Sequence, residues 1–261
     1  MATTILGVDK PVSLVEQTLY DVARGKLAGA SNLASYGELT TAGAVTDHLV
    51  WPLAGTPDLA VPASPGVQMA VVSSSASDAA AGTGIRTVNV IYLDVDLAQQ
   101  TEIVTLNGAT PVNMVATDVR FIQCMHLATA GSGKKAAGNI SATNGGTTYS
   151  YIPTGKRRCS SGTRRVPAGK RLIITSLYGS SISGAGQAKS EIRLVATGLD
   201  AVDTTESAIT FPLQSVGMQD GAVTLSGLTI AVSAGLVVGF EVTVDKAATI
   251  SAGFNGWVET V

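Results

Sequence analysis

Residues 69 to 108 read MAVVSSSASDAAAGTGIRTVNVIYLDVDLAQQTEIVTLNG and contain two extended segments around a short polar connection. Both segments alternate with a period of two and are rich in β-branched residues, which predicts strands buried mainly on one side. In the first segment Val88, Val90 and Tyr92 share one face and Thr87, Asn89, Ile91 and Leu93 the other, and in the second Val104 and Leu106 lie opposite Ile103 and Thr105. Asn107-Gly108 supplies a turn that tolerates positive φ, and the polar run 73–84 is too small and glycine-rich to be anything but a loop. We therefore expect a β-hairpin fed by a long loop.

Similar segments recur along the rest of the chain. Turn signals separate them, such as Asn144-Gly145-Gly146 and Ala234-Gly235. Many short strands with almost no helix between them predict an antiparallel β-sandwich or jelly roll. The further predicted strands are 67–73, 119–127, 147–152, 171–178, 190–196, 208–213, 222–232, 236–244 and 249–258.

The N-terminal quarter predicts one short helix. Residues 1–12 are expected to form an extended arm, and Ser13 with Glu16 forms a capping box ahead of apolar residues at helical spacing up to Gly25. This helix is expected to dock on the protein's own core, with docking on a partner subunit as the alternative. Four prolines make 31–65 an irregular connector, except that 45–53 is expected to form a short strand burying Trp51. The predicted domains are 1–66 (arm, helix and connector) and 67–261 (sandwich), the latter with two possible subdomains splitting near 155–166.

Charge is strongly polarised along the chain. Residues 119–190 hold eleven basic side chains and no acidic one, whereas residues 1–118 carry a net charge of −7 and residues 191–261 one of −6. Three interpretations remain open: the acidic flanks neutralise the basic segment within one subunit, the cluster contacts an acidic protein surface, or it binds a polyanion. Nucleic acid is disfavoured because few aromatic residues interleave with the cluster. The predicted partner contact comprises Lys156, Arg157, Arg158, Arg164, Arg165, Lys170 and Arg171.

The residues that usually carry chemistry are sparse and badly spaced. His48 and His126 are the two histidines, and both are expected to be structural. Asp78, Asp94 and Asp96 offer oxygen ligands for Ca²⁺, but no EF-hand pattern surrounds them, so an ordinary loop is expected. We predict no catalytic, cofactor-binding or metal-binding residues, and no enzyme.

The two cysteines follow no metal spacing. Cys124 lies in an apolar run and is expected to be a buried thiol, while Cys159 is expected to be exposed or in a loop. Free thiols are expected for a protein made in the reducing cytoplasm, with a disulfide between the two as the alternative. Neither a signal peptide nor a membrane-spanning run is apparent, so a soluble protein is expected.

One segment carries a resemblance to a known class of protein. SSSASDAAAGTGIRTVNVIYLD followed by TEIVTLNGATPV, within residues 68–142, resembles a segment of virion structural proteins of tailed bacteriophages. That class includes head decoration, fibre and tail proteins, and no catalytic residues come with the pattern. The resemblance implies a virion component that assembles in the host cytoplasm.

Composition agrees with an assembled protein, because only 14% of the residues are charged and subunit contacts can cover such a surface. The predicted function is that of a capsid decoration (cement) protein. It would form a homotrimer bound to the major capsid protein. The alternatives are a tail, fibre or baseplate component, and a carbohydrate-binding module for host attachment.

Overall fold

The fold is nearly all β. The computed structural model describes residues 14–52, 61–184, 186–197 and 211–261. Helix α1 spans Leu14–Ala23. The strands are β1 (Ser31–Thr40), β2 (Val45–Leu49), β3 (Ala70–Ser73), β4 (Ile85–Leu93), β5 (Gln99–Thr105), β6 (Val112–Asn113), β7 (Phe121–Ala130), β8 (Ile140–Asn144), β9 (Thr147–Ile152), β10 (Arg164–Arg165), β11 (Lys170–Ser183), β12 (Lys189–Thr197), β13 (Phe211–Gln219), β14 (Gly221–Val232), β15 (Val237–Val244) and β16 (Ala248–Thr260). Within the described ranges, no helix is long and apolar enough to cross a membrane.

The outer segments of the chain form a jelly roll. One sheet has the order β1-β16-β11-β14, and the other has β2 and β10 beside β15, followed by β12 and β13. Counted along the chain, with β2 and β10 as one position, the first strand pairs with the eighth, the second with the seventh, the third with the sixth and the fourth with the fifth. This nesting of antiparallel pairs produces the two Greek keys of a jelly roll. The predicted antiparallel sandwich is therefore confirmed.

Aliphatic side chains from both sheets fill the space between them. Ile174 and Ile250 of one sheet and Val238 and Val242 of the other are fully buried in a single cluster. Phe240 and Phe254 meet across the two sheets with ring centroids 6.3 Å apart. Burial of such side chains is the main stabilising contribution in a sandwich of this kind.

A second, smaller sandwich lies between β2 and β10 in the sequence. Its sheets have the orders β6-β3-β8-β9 and β5-β4-β7. The predicted hairpin is present as β4 and β5, with Val88 paired to Val104 and both side chains buried. Gly108 follows this hairpin at φ +59°, as the Asn-Gly turn predicted.

This small sandwich interrupts a single strand position of the jelly roll. β2 and β10 both pair antiparallel with the same edge of β15, β2 opposite 241–244 and β10 opposite 237–238. Val50 donates its N–H to the Phe240 carbonyl, and Gly162 donates to the Val50 carbonyl at 3.1 Å. The chain thus leaves the strand at Val50 and returns to it beside the same residue.

Helix α1 docks on the outer face of the jelly roll. Val22 packs against Ile173 of β11 and Trp257 of β16, and all three are buried. The helix therefore docks on its own chain, on the outer face of a sheet rather than on the core between the two sheets. Trp51 is also buried, directly after β2, as the sequence predicted.

The prediction of an irregular connector over 31–65 was wrong in its first part, because β1 is a ten-residue strand paired along its length with β16. Its buried positions are Ser35, Gly37 and Leu39. Two of these three are small residues, so the strand lacks the alternation of apolar side chains by which a strand is recognised in a sequence. A Cβ on Gly37 would lie 2.3 Å from the Val50 carbonyl oxygen, so close backbone packing replaces side-chain burial here.

One strand was not predicted, and several predictions fall outside the described residues or stay untested. β8 was not predicted, and it is half of a hairpin with β9. The N-terminal arm, the Ser13 cap and residues 208–210 of one predicted strand lie outside the described residues. The division of the sandwich near 155–166 concerns independent folding units and stays a prediction.

Candidate functional site

The seven basic residues of the predicted contact do not share one surface. They lie in or beside the segment that returns from the small sandwich to the jelly roll, and the structure divides them into buried, internally paired and exposed members.

Arg164 and Arg165 are buried, with exposed fractions of 4% and 0%. Arg164 donates through Nη1 to the Thr163 carbonyl at 2.6 Å, and Arg165 donates through Nε to the Gly235 carbonyl at 3.0 Å. These contacts stabilise the guanidinium groups where water is excluded. The expectation that both side chains reach a partner was wrong, because β10 lies between the two sandwiches.

Gln123 of β7 ties the small sandwich to the same strand. Its Oε1 accepts from the Arg165 N–H at 3.0 Å, while its Nε2 donates to the Arg165 carbonyl at 2.5 Å. The side chain thus pairs with β10 as another strand would.

Lys156, Lys170 and Arg171 are used within the chain. Lys156 pairs with Glu38 of β1 at 3.2 Å, and Arg171 pairs with Glu259 of β16 at 2.5 Å. Lys170 donates to the Thr260 hydroxyl at 2.8 Å. For Lys156 and Arg171 the acidic flanks do neutralise the basic segment inside one subunit, as the first of the three interpretations expected.

Arg157 and Arg158 are the exposed remainder of the cluster. Across the part of the chain that the structure describes, neither guanidinium has a hydrogen bond or ion pair. Their backbone extends the sheet of β7: the Leu127 N–H donates to the Arg157 carbonyl, and Arg158 bridges to His126. The pair therefore sits on a backbone anchored to β7.

These two arginines border an open cleft of about 400 Å³, which we call the arginine cleft. Its lining residues are Cys124, His126, Leu127, Arg157 and Arg158. Two unpartnered guanidinium groups at one opening can each bind a carboxylate or phosphate through two parallel hydrogen bonds. The arrangement therefore suits an anionic group presented by another molecule.

The histidines are built into strands. His126 Nε2 lies 3.2 Å from Asn89 Nδ2 on the neighbouring strand, and His48 pairs with Val242 in the β2–β15 ladder. Both positions agree with the structural role that the sequence predicted.

The cysteines lie together. Cys124 Sγ and Cys159 Sγ are 2.9 Å apart, although 35 positions separate them in the sequence. Cys159 lies in an irregular segment, as one of the two expectations had it, but its exposed fraction is only 1%. The Cys159 N–H donates to the Met125 carbonyl, which draws this segment against β7.

The aspartates considered for Ca²⁺ organise loops instead. Asp94 accepts the N–H groups of Asp96 and Ala98 and so closes the turn between β4 and β5. Asp78 is fully buried and lies in a different loop. Across the described ranges, no group of three or more His, Cys, Asp or Glu side chains is placed to hold a metal ion.

Asp78 has a role that the sequence analysis missed. Its carboxylate accepts the Ser73 hydroxyl and three backbone N–H groups. The donors are Ile85 at 2.7 Å, Ala137 at 3.0 Å and Gly138 at 2.9 Å. An aspartate inside a serine- and glycine-rich run was the available signal, since such side chains bind nearby backbone amides in turns.

Comparison with protein-family models finds no match, and comparison with curated protein sequences finds none either. Among solved structures, the chain is similar to infectious bursal disease virus strain Gx (12% identity, 88% of this chain and 72% of that chain, TM-score 0.22). It is also similar to strain Gt (10% identity, 89% and 72%, TM-score 0.17) and to T=1 particles derived from that virus (12%, 89% and 74%, TM-score 0.16). TM-scores this low do not establish a shared fold, so any function has to be argued from the geometry of this chain itself.

Proposed function

We propose that this chain is a non-enzymatic structural protein of a virion, and specifically a decoration (cement) protein on the head of a tailed phage. It would bind the major capsid protein and bridge neighbouring capsomers as a homotrimer. Its mechanism is mechanical: buried surface between subunits holds the shell together, and charge pairs set the docking position.

The jelly-roll strand order is the observation that carries the proposal. Viral capsid domains use this order, as do lectins and cupins. The resemblance of residues 68–142 to virion proteins of tailed phages supports the first of these uses. A low content of charged residues, 14% of the chain, supports a surface covered by other subunits.

The interior of the jelly roll supports a structural role. The cavity between its sheets measures about 20 Å³, so the interior of the jelly roll is far smaller than a small-molecule site of about 300–1,000 Å³; the arginine cleft, at about 400 Å³, is an open surface feature of the small sandwich. Trp51 and Trp257, the side chains best suited to a sugar-binding platform, are both buried. These features favour a packed scaffold over the carbohydrate-binding alternative.

The arginine cleft supports the docking mechanism. Arg157 and Arg158 are exposed on a backbone that is fixed to β7, so less conformational entropy is lost when they bind. Their expected partner is a pair of carboxylates on a capsid subunit. In a trimer each further contact becomes intramolecular after the first, so modest single contacts produce tight docking.

The test is binding to purified phage heads that have been stripped of this protein by salt. R157S/R158S is expected to bind about threefold to thirtyfold more weakly per subunit at low salt, with a flatter dependence on salt concentration. The measurement is a cosedimentation isotherm at several salt concentrations.

K134S/K135S is the matched control, because it removes the same charge from another exposed site. Equal losses in the two double variants would show that only net charge matters, and unchanged docking of R157S/R158S would refute the role of the cleft. Quantitative mass spectrometry of separated heads and tails tests the location. High copy number in heads supports a cement protein, and a few copies confined to tails would favour the fibre or baseplate alternative.

A further inference from the structure

Two thiols meet where the return segment, residues 153–163 between β9 and β10, passes beside the small sandwich. Cys124 lies on β7, Cys159 lies on the return segment, and their sulfur atoms are 2.9 Å apart. A disulfide bond is about 2.05 Å long, so the sulfur atoms need to approach by only about 0.9 Å. The Cys159 N–H bond to the Met125 carbonyl, at 2.8 Å, holds the two backbones in register for that approach.

The surroundings favour a thiolate at this pair. The pKa of Cys159 is lowered from its ordinary value, chiefly because the Cys124 thiol donates a hydrogen bond to its sulfur, and the nearby Arg164 guanidinium acts in the same direction. Burial opposes this lowering. The same shared proton raises the pKa of Cys124. The two sulfur atoms therefore share one proton, and either of them is a thiolate when the proton lies on the other.

The pair is also accessible from one side. Cys124 is only half-buried and lines the arginine cleft, whereas Cys159 is fully covered behind it. A small oxidant can therefore reach Cys124 through the cleft, and Cys159 is positioned to attack the product.

We propose that Cys124 and Cys159 form an intramolecular disulfide when the protein meets a peroxide, for example after release from the reducing cytoplasm of a host cell. Cys124 first passes its proton to Cys159 and attacks hydrogen peroxide as a thiolate, which breaks the O–O bond, converts Cys124 to a sulfenic acid and releases hydroxide. The hydroxide takes the proton from Cys159 and becomes the first water molecule. The Cys159 thiolate then attacks the Cys124 sulfur, the S–O bond breaks, and the oxygen leaves as a second water molecule after taking one proton from solvent. The two sulfur atoms are oxidised to the disulfide and one peroxide is reduced to two water molecules, so electrons and atoms balance.

The disulfide closes a loop of the chain from Cys124 to Cys159, which contains β8, β9 and the exposed residues Arg157 and Arg158. It ties the segment carrying Arg157 and Arg158 covalently to β7, next to those residues' backbone contacts with Leu127 and His126. Closing a loop of this length restricts the unfolded chain, which stabilises the fold. The proposal does not depend on the identity of the docking partner.

The experiment compares the full chain before and after stoichiometric hydrogen peroxide. The treated protein is expected to lose the mass of two hydrogen atoms, to become resistant to thiol alkylation and to unfold at a temperature higher by about 5–15 °C, reversibly with reductant. C124S and C159S are expected to show none of these changes, and each untreated variant is compared with the untreated parent so that a folding defect is recognised separately.

Three results would overturn the proposal. One is a peroxide-treated chain in which both thiols still alkylate; another is added oxygen on Cys124 without a cross-link. The third is a disulfide that forms only between two chains. Peptide mapping of the treated protein distinguishes them, and a peptide joining residues 124 and 159 is the supporting result.

Discussion

Asp78 shows how one side chain shapes the loop ahead of the central hairpin. Its two carboxylate oxygens accept four hydrogen bonds, from the segment before it, from the start of β4 and from the loop that follows β7. A buried charge is stable only where its hydrogen bonds are satisfied in this way. The loop is therefore a built structure, although its sequence consists of small polar residues.

Asp78→Ala is expected to destabilise the small sandwich by about 3–5 kcal/mol, because three backbone N–H groups, those of Ile85 and Gly138 buried, lose their acceptor. Asp78→Asn keeps the shape but replaces one acceptor oxygen by a donor, so a loss of about 2–3 kcal/mol is expected. Urea denaturation measures both. Asp96→Ala, in the exposed turn between β4 and β5, is the matched control and is expected to change stability by less than about 0.5 kcal/mol. A similar result for Asp78→Ala would show that the loop does not need its carboxylate.

The pairing of β11 with β16 is the central seam of the jelly roll. Their ladder runs from Lys170–Thr260 to Ser183–Ala248, and Arg171 pairs with Glu259 near one end of it. Glu259 also accepts the Trp257 indole N–H at 3.0 Å. One carboxylate therefore connects the ladder to the buried ring under helix α1.

The pKa of Glu259 is lowered from its ordinary 4.5, first by the Trp257 hydrogen bond and then by Arg171. A lowered native pKa contributes stability that is present above the unfolded value and is lost as the pH falls through the folded one. Glu259→Gln is therefore expected to unfold at a lower temperature than the parent at pH 7, and the gap is expected to close below about pH 4.5. Scanning calorimetry from pH 7 to pH 3 measures it.

Trp257→Phe offers a second variant, since it removes the donor and keeps an aromatic ring. It is expected to show part of the same pH dependence. A constant gap between Glu259→Gln and the parent at every pH would contradict the electrostatic explanation.

At the scale of the whole molecule, one sandwich is inserted into a strand of another. Val50 pairs with Phe240 through its N–H, and Arg164 is opposite Val238. One position, Gly239, lies between those two, and Thr163 packs against it. Val50 and Thr163 therefore lie opposite consecutive residues of β15, Phe240 and Gly239. The small sandwich is thus inserted between two positions that would be neighbours in one continuous strand.

Joining Val50 directly to Thr163, with residues 51–162 deleted, is expected to leave a jelly roll that still unfolds cooperatively, because the strand continues in register. Its midpoint is expected to fall, since Val237 loses its contacts with Leu93 and Phe121. Circular dichroism against urea concentration measures both the cooperativity and the midpoint.

The control joins Val50 to Arg164, one residue shorter. A one-residue shift turns each side chain of β10 to the opposite face of the sheet, so this chain is expected to unfold without cooperativity. Equal behaviour of the two deletions would show that β10 does not hold the register.

Local pattern was enough for most of the strands. Val88, Val90 and Tyr92 were expected to share one face of a strand and are all buried, because alternation along a strand depends only on neighbouring residues. The all-β class, the docked helix and the structural histidines follow from the same kind of short-range information.

Contacts between distant segments depended on the folded chain. β1 was missed because it pairs with a strand some 215 positions away and because Gly37, one of its buried positions, packs against the Val50 carbonyl where an apolar side chain would be expected. From the sequence alone Arg164 and Arg165 were predicted to be surface charges, because the contacts of Arg165 with Gly235 and Gln123 form only in the folded chain. The approach of Cys124 to Cys159 likewise has no signal in the sequence. The periodicity of a chain specifies which face of a strand is apolar, but the identity of the opposing strand follows from the summed packing of the whole molecule, and that sum is available only in the folded state.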